Sequence, residues 1–550
     1  MSRLLLASLL LLLSHLGLQP AAARELKIGV SQYPPTMNPM TAASVSLSLV
    51  NGMTRRPVTL YDQSWTLVCG LCVTLPTLEN GLAKRESLAG GGEGIAITYQ
   101  LRPEATWGDG TPVSSADVVF TWEVGRHPQS GVVSGEGWRR ILSIDVVDAK
   151  TFVLHVDRVT FDYNAFGSEL LPAHLEGPVF QADPAAWRER SLFDSDATNP
   201  GLYFGPYRIQ QVTPGSEIVL ERNPTWYGAA PAFDRIRFIT VSSTATLEAN
   251  LLSGAIDMIA GELGLAIDQA LAFERRHGAE YQVLYQAGLF YEHMDINLTQ
   301  GAVADRAVRQ ALLYAIDRQA LSDRLFGGKQ PVANSPVSPL DQNLAADLPA
   351  YPYDPGKAAA LLEAAGWLPG ADGIRVKDGQ RLALSMTTTA GDRTRVLVQQ
   401  VLQAQWKAAG IEVRIDNHPA RVLFGDVLRE RKYGDLALFG WIAAPSSTQR
   451  TLLYSTEVPS AANDWSGQNY TGYANPAMDR LIDAIELELD PGKRRLLWAE
   501  MQRLYMTDLP ALPLYWRANS YILPKWLIGV RPTGHLGPST LWVEEWTVAQ

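Results

Sequence analysis

The residues best equipped for chemistry in this chain are few. The only two cysteines, Cys69 and Cys72, lie in "CGLC", a spacing compatible with a redox pair, half of a zinc site or a local disulfide. No second pair completes a zinc site and nothing thioredoxin-like surrounds the motif, so a Cys69–Cys72 disulfide is expected in an oxidising compartment. The eight histidines show no metal-like spacing. His174 and His293 sit in apolar or aromatic sequence, where a hydrogen-bonded structural histidine is the commoner outcome. "DSDATN" (194–199) alternates oxygen side chains as a calcium loop does, but it lacks the downstream acid and reads as a polar loop.

The chain has no GxSxG elbow, no HExxH, no GxxxxGKS or GxxxxGKT phosphate loop and no GxGxxG after a strand. With no nucleophile, base or metal to name, neither catalysis nor a cofactor nor a bound metal is expected. Aromatic residues are plentiful instead, with 15 Trp, 20 Tyr and 14 Phe. Tyr33, Trp138, Tyr291, Trp441, Trp465 and Tyr470 fall at the ends of expected strands, where clefts form in α/β layers. With Asn38 of "PPTMNPM", His293, and Asn469 of "WSGQNY" they make up the candidate ligand-binding set. The ordered stretch "ATWGDGTPVSSADVVFTWE" (105–123) reads differently. Gly110 supplies the positive φ of a tight turn, Asp109 is a turn residue, and Ser114 or Ser115 caps a helix from near Ala116.

These residues need a frame of some size. The chain has 550 residues, 46% hydrophobic and 19% charged, enough for two or three packed cores. "MSRLLLASLLLLLSHLGLQPAAARELKIGV" places Arg3 before a leucine-rich run that ends in small residues, the form of a signal peptide over 1–23 with a mature start near Arg24. No later stretch reaches the roughly 18 apolar residues of a membrane helix. No cysteine near the cut offers a lipid attachment point, so a soluble periplasmic protein is expected. Of 47 basic residues all but Arg3 lie outside that segment, against 57 acidic ones, spread without long runs. That balance argues against nucleic acid and anionic membranes as partners.

The elements follow from periodicity. "LKIGVSQY" reads as a strand ahead of a rigid proline loop, and "IAITYQLRP" and "ILSIDVVDAKTFVLHVDR" as strands around a capped helix. "RLALSMTTT", "GDRTRVLVQQVLQAQWKAAG", "IEVRIDN" and "DLALFGW" read as strand, helix, strand, strand, a crossover unit of an α/β layer. "DRAVRQALLYAIDRQALSDRLFGG" reads as one amphipathic helix stopped at Gly327, and "YDPGKAAALLEAAGW" as a helix ended at Gly366. Two more capped helices, "NPAMDRLIDAIELELD" and "PGKRRLLWAEMQRLYMTDLP", precede the strand-like "ALPLYW" and "YILP".

Seven stretches in order carry a resemblance: "YQLRPEATWGDGTPVSSADVVFTWE", "GPYRIQQVTPGSEIVLERNPTWYG", "LLSGAIDM", "DRAVRQALLYAIDR", "YDPGKAAALLEAAGW", "AAGIEVRI" and "NYTGYANPAMDRL". Together the chain resembles the family 5 extracytoplasmic solute-binding proteins, which include dipeptide-, oligopeptide- and nickel-binding receptors of ABC importers. The resemblance implies an α/β, two-lobed periplasmic binding protein fold of type II with an extra inserted subdomain, and mixed sheets in each lobe joined by a β hinge. Residues 24–60, 196–294 and 506–550 would form the first lobe, 61–195 the inserted subdomain and 295–505 the second lobe. It implies a small-molecule or short-peptide ligand, an ABC permease in the inner membrane as partner, a monomer, and no enzyme activity.

Peptide-binding members follow a Gly-Trp pair with an aspartate for the peptide's ammonium. Here Gly440 and Trp441 are present but Ala444 stands where the acid would be. A buried ammonium without an anion is strongly disfavoured, so a free peptide N-terminus is not expected to be held in the usual way, with Asp464 of "NDWSGQN" the candidate substitute. "EGWRRI" and "FGWIAA" put Trp138 and Trp441 where nickel-binding members place cleft tryptophans, with His293 available to complete a site for a metal chelate. The alternatives are a secreted hydrolase of unrecognised type and a ligand-sensing receptor on this fold not coupled to import.

Overall fold

A computed structural model describes residues 24–549 apart from 168, 169, 445 and 536, so the expected signal peptide lies outside the described residues. The chain opens with β1 (Glu25–Val30), whose Leu26, Ile28 and Val30 are fully buried as the alternating pattern requires. A separate four-stranded sheet follows, built from β2 (Ala83–Ser87), β3 (Glu93–Gln100), β4 (Ile141–Val146) and β5 (Thr151–Val156) in the order β2-β3-β5-β4. Between β3 and β4 lies helix α1 (Ser115–Arg126), where the Asp117 carboxylate accepts the Ser114 amide at 2.8 Å. Gly110 sits at φ 89° in the preceding turn, and Asp109 accepts the Thr111 amide at 2.9 Å and holds His174 Nε2 at 2.9 Å. Asp109 and His174 thus form one structural pair.

The chain then returns to β1 through β6 (Tyr207–Thr213), β7 (Glu217–Arg222), β8 (Arg235–Thr240) and β9 (Met258–Ile259). β8 and β9 flank β1, both in parallel. The long strand β10 (Tyr281–Ile296) leads out of this region. Beyond it come α2 (Arg306–Tyr314), α3 (Arg318–Phe326), α4 (Pro355–Ala364), β11 (Ala383–Thr387), α5 (Arg393–Ala408), β12 (Glu412–Ile415), β13 (Leu436–Ile442), α6 (Pro476–Leu487) and α7 (Pro491–Asp508). β14 (Ala511–Pro524) brings the chain back.

Ten strands form one continuous ladder in the order β12-β11-β13-β10-β14-β9-β1-β8-β7-β6. β10 and β14 run antiparallel through its middle and join the two halves. Their register slips between Ala287/Ala518 and Tyr291/Trp516, so Gly288, Leu289 and Phe290 of β10 stand against Arg517 of β14 alone, a bulge in the pair. On one side Leu26, Trp107, Tyr207 and Phe238 share a core with Tyr521 and Leu523 of β14; on the other, Leu312, Trp406, Leu438 and Trp498 share one with Leu512 and Leu514. The sheets expected for separate lobes are therefore hydrogen-bonded into one, and the bulge marks the passage between two cores.

One expected element divides. The stretch 305–327 forms two helices, because Asp317 accepts the Ala320 amide at 2.8 Å and caps a new helix after α2 has closed at Ala315. Gly327, at φ 57°, does end the second. "ALPLYW" and "YILP" belong to the single strand β14. Among the described residues no helix is long and apolar enough to cross a membrane.

Candidate functional site

The loop after β1 is held from below. Asp194, in the stretch read as a polar loop, accepts the Met37 amide at 2.8 Å and the Thr36 hydroxyl. Asn38 is fully buried, its amide donating to Ser191 Oγ at 3.0 Å and its carbonyl accepting the Met40 amide at 3.0 Å. Asn38 therefore acts through the backbone and places Pro39 and Met40 at the mouth of a cavity. Tyr33 is half-buried, and burial together with Asp194 raises its hydroxyl pKa.

That cavity has a volume of about 550 Å³. Its floor is the four-stranded sheet, through Ile97, Leu154 and Val156, and its wall is Trp138 with Phe166 edge-on at 5.7 Å between ring centres. Trp138 follows from the short helix Glu136–Arg140 and lies against Gly125 of α1. A Cβ on Gly125 would fall 2.4 Å from Trp138 Cγ, so the glycine is what lets the indole lie down there. Arg140, Arg158 and Asp162 bring charge into the wall. The volume and the mixed lining suit a small organic ligand.

Tyr291, His293, Trp441 and Tyr470 are brought together elsewhere, where β10 and β13 pair past the bulge. Tyr291 stacks on His293 at 4.9 Å and 5°, and Trp441 on Tyr470 at 6.0 Å and 29°, with Phe439 touching His293, Trp441 and Tyr470. They surround a void of about 20 Å³, room for one water molecule. Burial pushes the Tyr291 hydroxyl well above its ordinary pKa and raises that of Tyr470, with Tyr505 and Asp295 adding to the effect. Both nitrogens of His293 already face acceptors, Nε2 at 3.1 Å from Asp295 and Nδ1 at 3.2 Å from the Tyr291 carbonyl. A metal here would have to displace one of them. The rest of its lining is mixed, with Gln449, Gln468 and Thr471 beside Leu452, Leu453 and Pro510.

The opposite face of β10 is ionic. Glu292, with no exposed surface, takes Arg395 of α5 at 2.9 Å and Arg517 of β14, and Arg517 also lies 4.5 Å over the Phe290 ring. Gly440 explains itself at this point, since its Cβ would meet Phe290 at 2.2 Å and the Glu292 carboxylate at 2.9 Å.

The "WSGQNY" loop divides its roles. Asp464 and Trp465 take positive φ, and their carbonyls accept from Arg429 at 3.2 and 3.4 Å. Trp465 is half-buried and the Asp464 side chain exposed. Asn469, fully buried, spends its amide on the carbonyls of Tyr454 and Tyr473 and its oxygen on Thr471 and Tyr473. It shapes the loop that presents Tyr470. Cys69 and Cys72 are disulfide-bonded. Among the described residues no group of three His, Cys, Asp or Glu is arranged to hold a metal. Met40, Arg140, Arg158 and Phe166 line the cavity although they were not in the candidate set; Arg140 was visible only as a neighbour of Trp138 in "EGWRRI".

The chain is similar to known proteins over most of its length. The chain is 24% identical over 541 residues to the oligopeptide-binding protein AppA of Bacillus subtilis (strain 168), covering 97% of this chain and 93% of that protein. It is 28% identical over 429 residues to the nickel-binding periplasmic protein of Escherichia coli (strain K12), covering 77% and 78%. The solved structure of the oligopeptide binding protein from Thermus thermophilus complexed with pentapeptide matches with a TM-score of 0.68 at 27% identity, covering 95% of this chain and 96% of that one. The model of the bacterial extracellular solute-binding proteins, family 5 middle, matches residues 77–461. With most of its length inside that match, the chain belongs to the family 5 bacterial extracellular solute-binding proteins.

Proposed function

We propose that this solute-binding protein captures a small peptide-like or other organic solute in the cavity walled by Trp138, closes on it about the β10–β14 bulge, and hands it to an ABC permease from the periplasm as a monomer. The observation that carries this reading is the cavity itself, about 550 Å³ with an indole for a wall. On this reading residues 24–60, 196–294 and 506–550 form one lobe, 61–195 its inserted subdomain and 295–505 the other. The subdomain and the second lobe already touch at the cavity's rim. The Phe161 amide donates to the Glu486 carbonyl at 3.1 Å, and Arg494 of α7 lies 4.8 Å over the Phe161 ring. A solute that prefers this closed arrangement shifts the protein towards it by its differential affinity. Nothing in the site calls for turnover, so the solute leaves as it entered.

The test is binding. Solute released from gently purified protein should raise its unfolding free energy by about 2.7 kcal/mol at a hundred times Kd and be recovered unchanged. Trp138→Ala should weaken that binding by about 1 kcal/mol or more. A dissociation constant indifferent to Trp138, or conversion of the solute to product, overturns the reading.

A further inference from the structure

The cavity wall has an electrical bias that its tryptophan does not explain. Arg140 and Arg158 both line it, and both lean on a single carboxylate. Arg140 Nε is 3.2 Å from Asp157 Oδ1, and Arg158 Nε is 3.5 Å from the same oxygen. Each guanidinium spends only its Nε on Asp157 in these pairs, and the terminal nitrogens are the ones that carry the paired donors suited to a carboxylate. The remaining acid of the wall, Asp162, is drawn to the other side, towards Arg494 over the Phe161 ring, whose charge it shares with Glu488 and Asp490. Glu79 reaches Tyr163 but is not part of the wall. Arg140, Arg158 and Asp157 together therefore leave one positive charge facing the space beside Trp138. Side-chain exposures of 28% for Arg140 and 54% for Arg158 keep both within reach of an entering solute.

We propose that Arg140 and Arg158 form a carboxylate subsite, so that the solute is an organic acid or zwitterion whose anionic end lies on the two guanidiniums and whose apolar body lies on Trp138 and Phe166. This rests on the cavity being the solute site and adds the ligand's charge and orientation. A single excess positive charge matches a monoanion. A phosphate dianion would leave an unbalanced charge in a partly enclosed space, which is costly. Lining by Met40, Leu154 and Val156 gives the body of the solute apolar contacts without further hydrogen-bond demands.

The experiment uses the mature protein purified without denaturant. Compounds released on denaturation are identified by mass spectrometry, rebound to stripped protein, and compared with their methyl esters by calorimetry. Expected are compounds carrying a carboxylate, esters that bind about tenfold more weakly or worse, and a similar loss for Arg140→Gln and Arg158→Gln, as befits charge-assisted hydrogen bonds. If Arg140→Gln fails to fold, the more exposed Arg158→Gln carries the test. Released compounds without an anionic group, esters bound as well as acids, or arginine variants within about twofold of wild type while Trp138→Ala loses affinity all overturn the carboxylate subsite and leave the cavity reading standing. A phosphorylated compound would overturn the preference for a monoanion. Undiminished binding in Trp138→Ala, or no released compound together with no thermal shift from di- to pentaalanine, overturns the cavity reading itself.

Discussion

Trp138 and Trp441 came from the sequence on the same grounds, yet they stand in opposite surroundings. Trp138 faces about 550 Å³ of space, is backed by Gly125, and has half-open charges beside it in Arg140, Asp157 and Arg158. Trp441 stacks into a packed aromatic group with room for one water, and the strand that supports it is pinned from behind by the buried pair Glu292 and Arg395. On the proposed reading one wall receives the solute and the other stays in place. For a protein that closes on a solute, this division puts adaptable surface on the subdomain and a rigid surface next to the bulge through which β10 and β14 pass.

The largest consequence should come from the charges. Glu292→Gln takes the nearer anion from the buried Arg395, leaving it Asp392 at 3.7 Å, and should cost about 3 kcal/mol, read as a lowered urea midpoint. Asp157→Asn makes the same chemical change in the other wall, where the carboxylate is 35% exposed, and should cost about 1 kcal/mol or less. Comparable losses in the two variants would erase the distinction between a rigid and an open wall.

Glycines sharpen it at intermediate size. Gly440→Ala drives a methyl to 2.2 Å from Phe290 and to 2.9 Å from the fully buried Glu292 carboxylate, and should cost about 1–3 kcal/mol. Gly125→Ala meets Trp138 at 2.4 Å, but the indole can retreat into the cavity and the helix gains up to about 1 kcal/mol of propensity. Its stability should fall less than that of Gly440→Ala while its solute affinity changes more. Thermal unfolding and calorimetry on the pair would decide, and a larger stability loss for Gly125→Ala would show that Trp138 is not free to move.

Much of this was legible in the residues. The capped helix at Ser114, the strands of the crossover unit and the turn at Gly110 follow from local rules, and the structure keeps them. The split of 305–327 was written in Asp317, a second cap inside an unbroken amphipathic pattern, which periodicity alone passed over. What residue types could not tell was partnership. Asn38 and Asn469 were chosen beside aromatics and turn out to spend their amides on loop backbone and Ser191. Arg140 and Arg158 are unremarkable as letters, and only the fold brings them from both ends of the β4–β5 hairpin to one carboxylate. The reason is physical: caps and periodicity act over a few residues, whereas a wall is assembled from segments far apart in the chain.

The smallest expected effect lies on the back of the open wall. β5 turns Leu154 and Val156 into the cavity and His155 to the other face, where it stands 2.9 Å from Glu86 of β2 and 3.2 Å from Asp145 of β4. Burial pulls the imidazole pKa down, but the hydrogen bonds and charges of Glu86 and Asp145 outweigh it and hold the value above the ordinary 6.5. A histidine whose folded pKa is raised contributes stability that is fully present below the unfolded pKa and is lost as pH rises through the folded value. The stability gap between wild type and His155→Gln should therefore be widest below about pH 6.5 and close on the alkaline side. Because Asp145 is 71% exposed, added salt should narrow the gap at low pH. The buried Glu292 network should respond far less to the same salt, since charges out of contact with solvent are poorly screened. A His155→Gln gap that stays constant from pH 5 to about pH 9, or that widens with rising pH, would mean that the imidazole is held neutral and that the open wall has no charge clamp behind it.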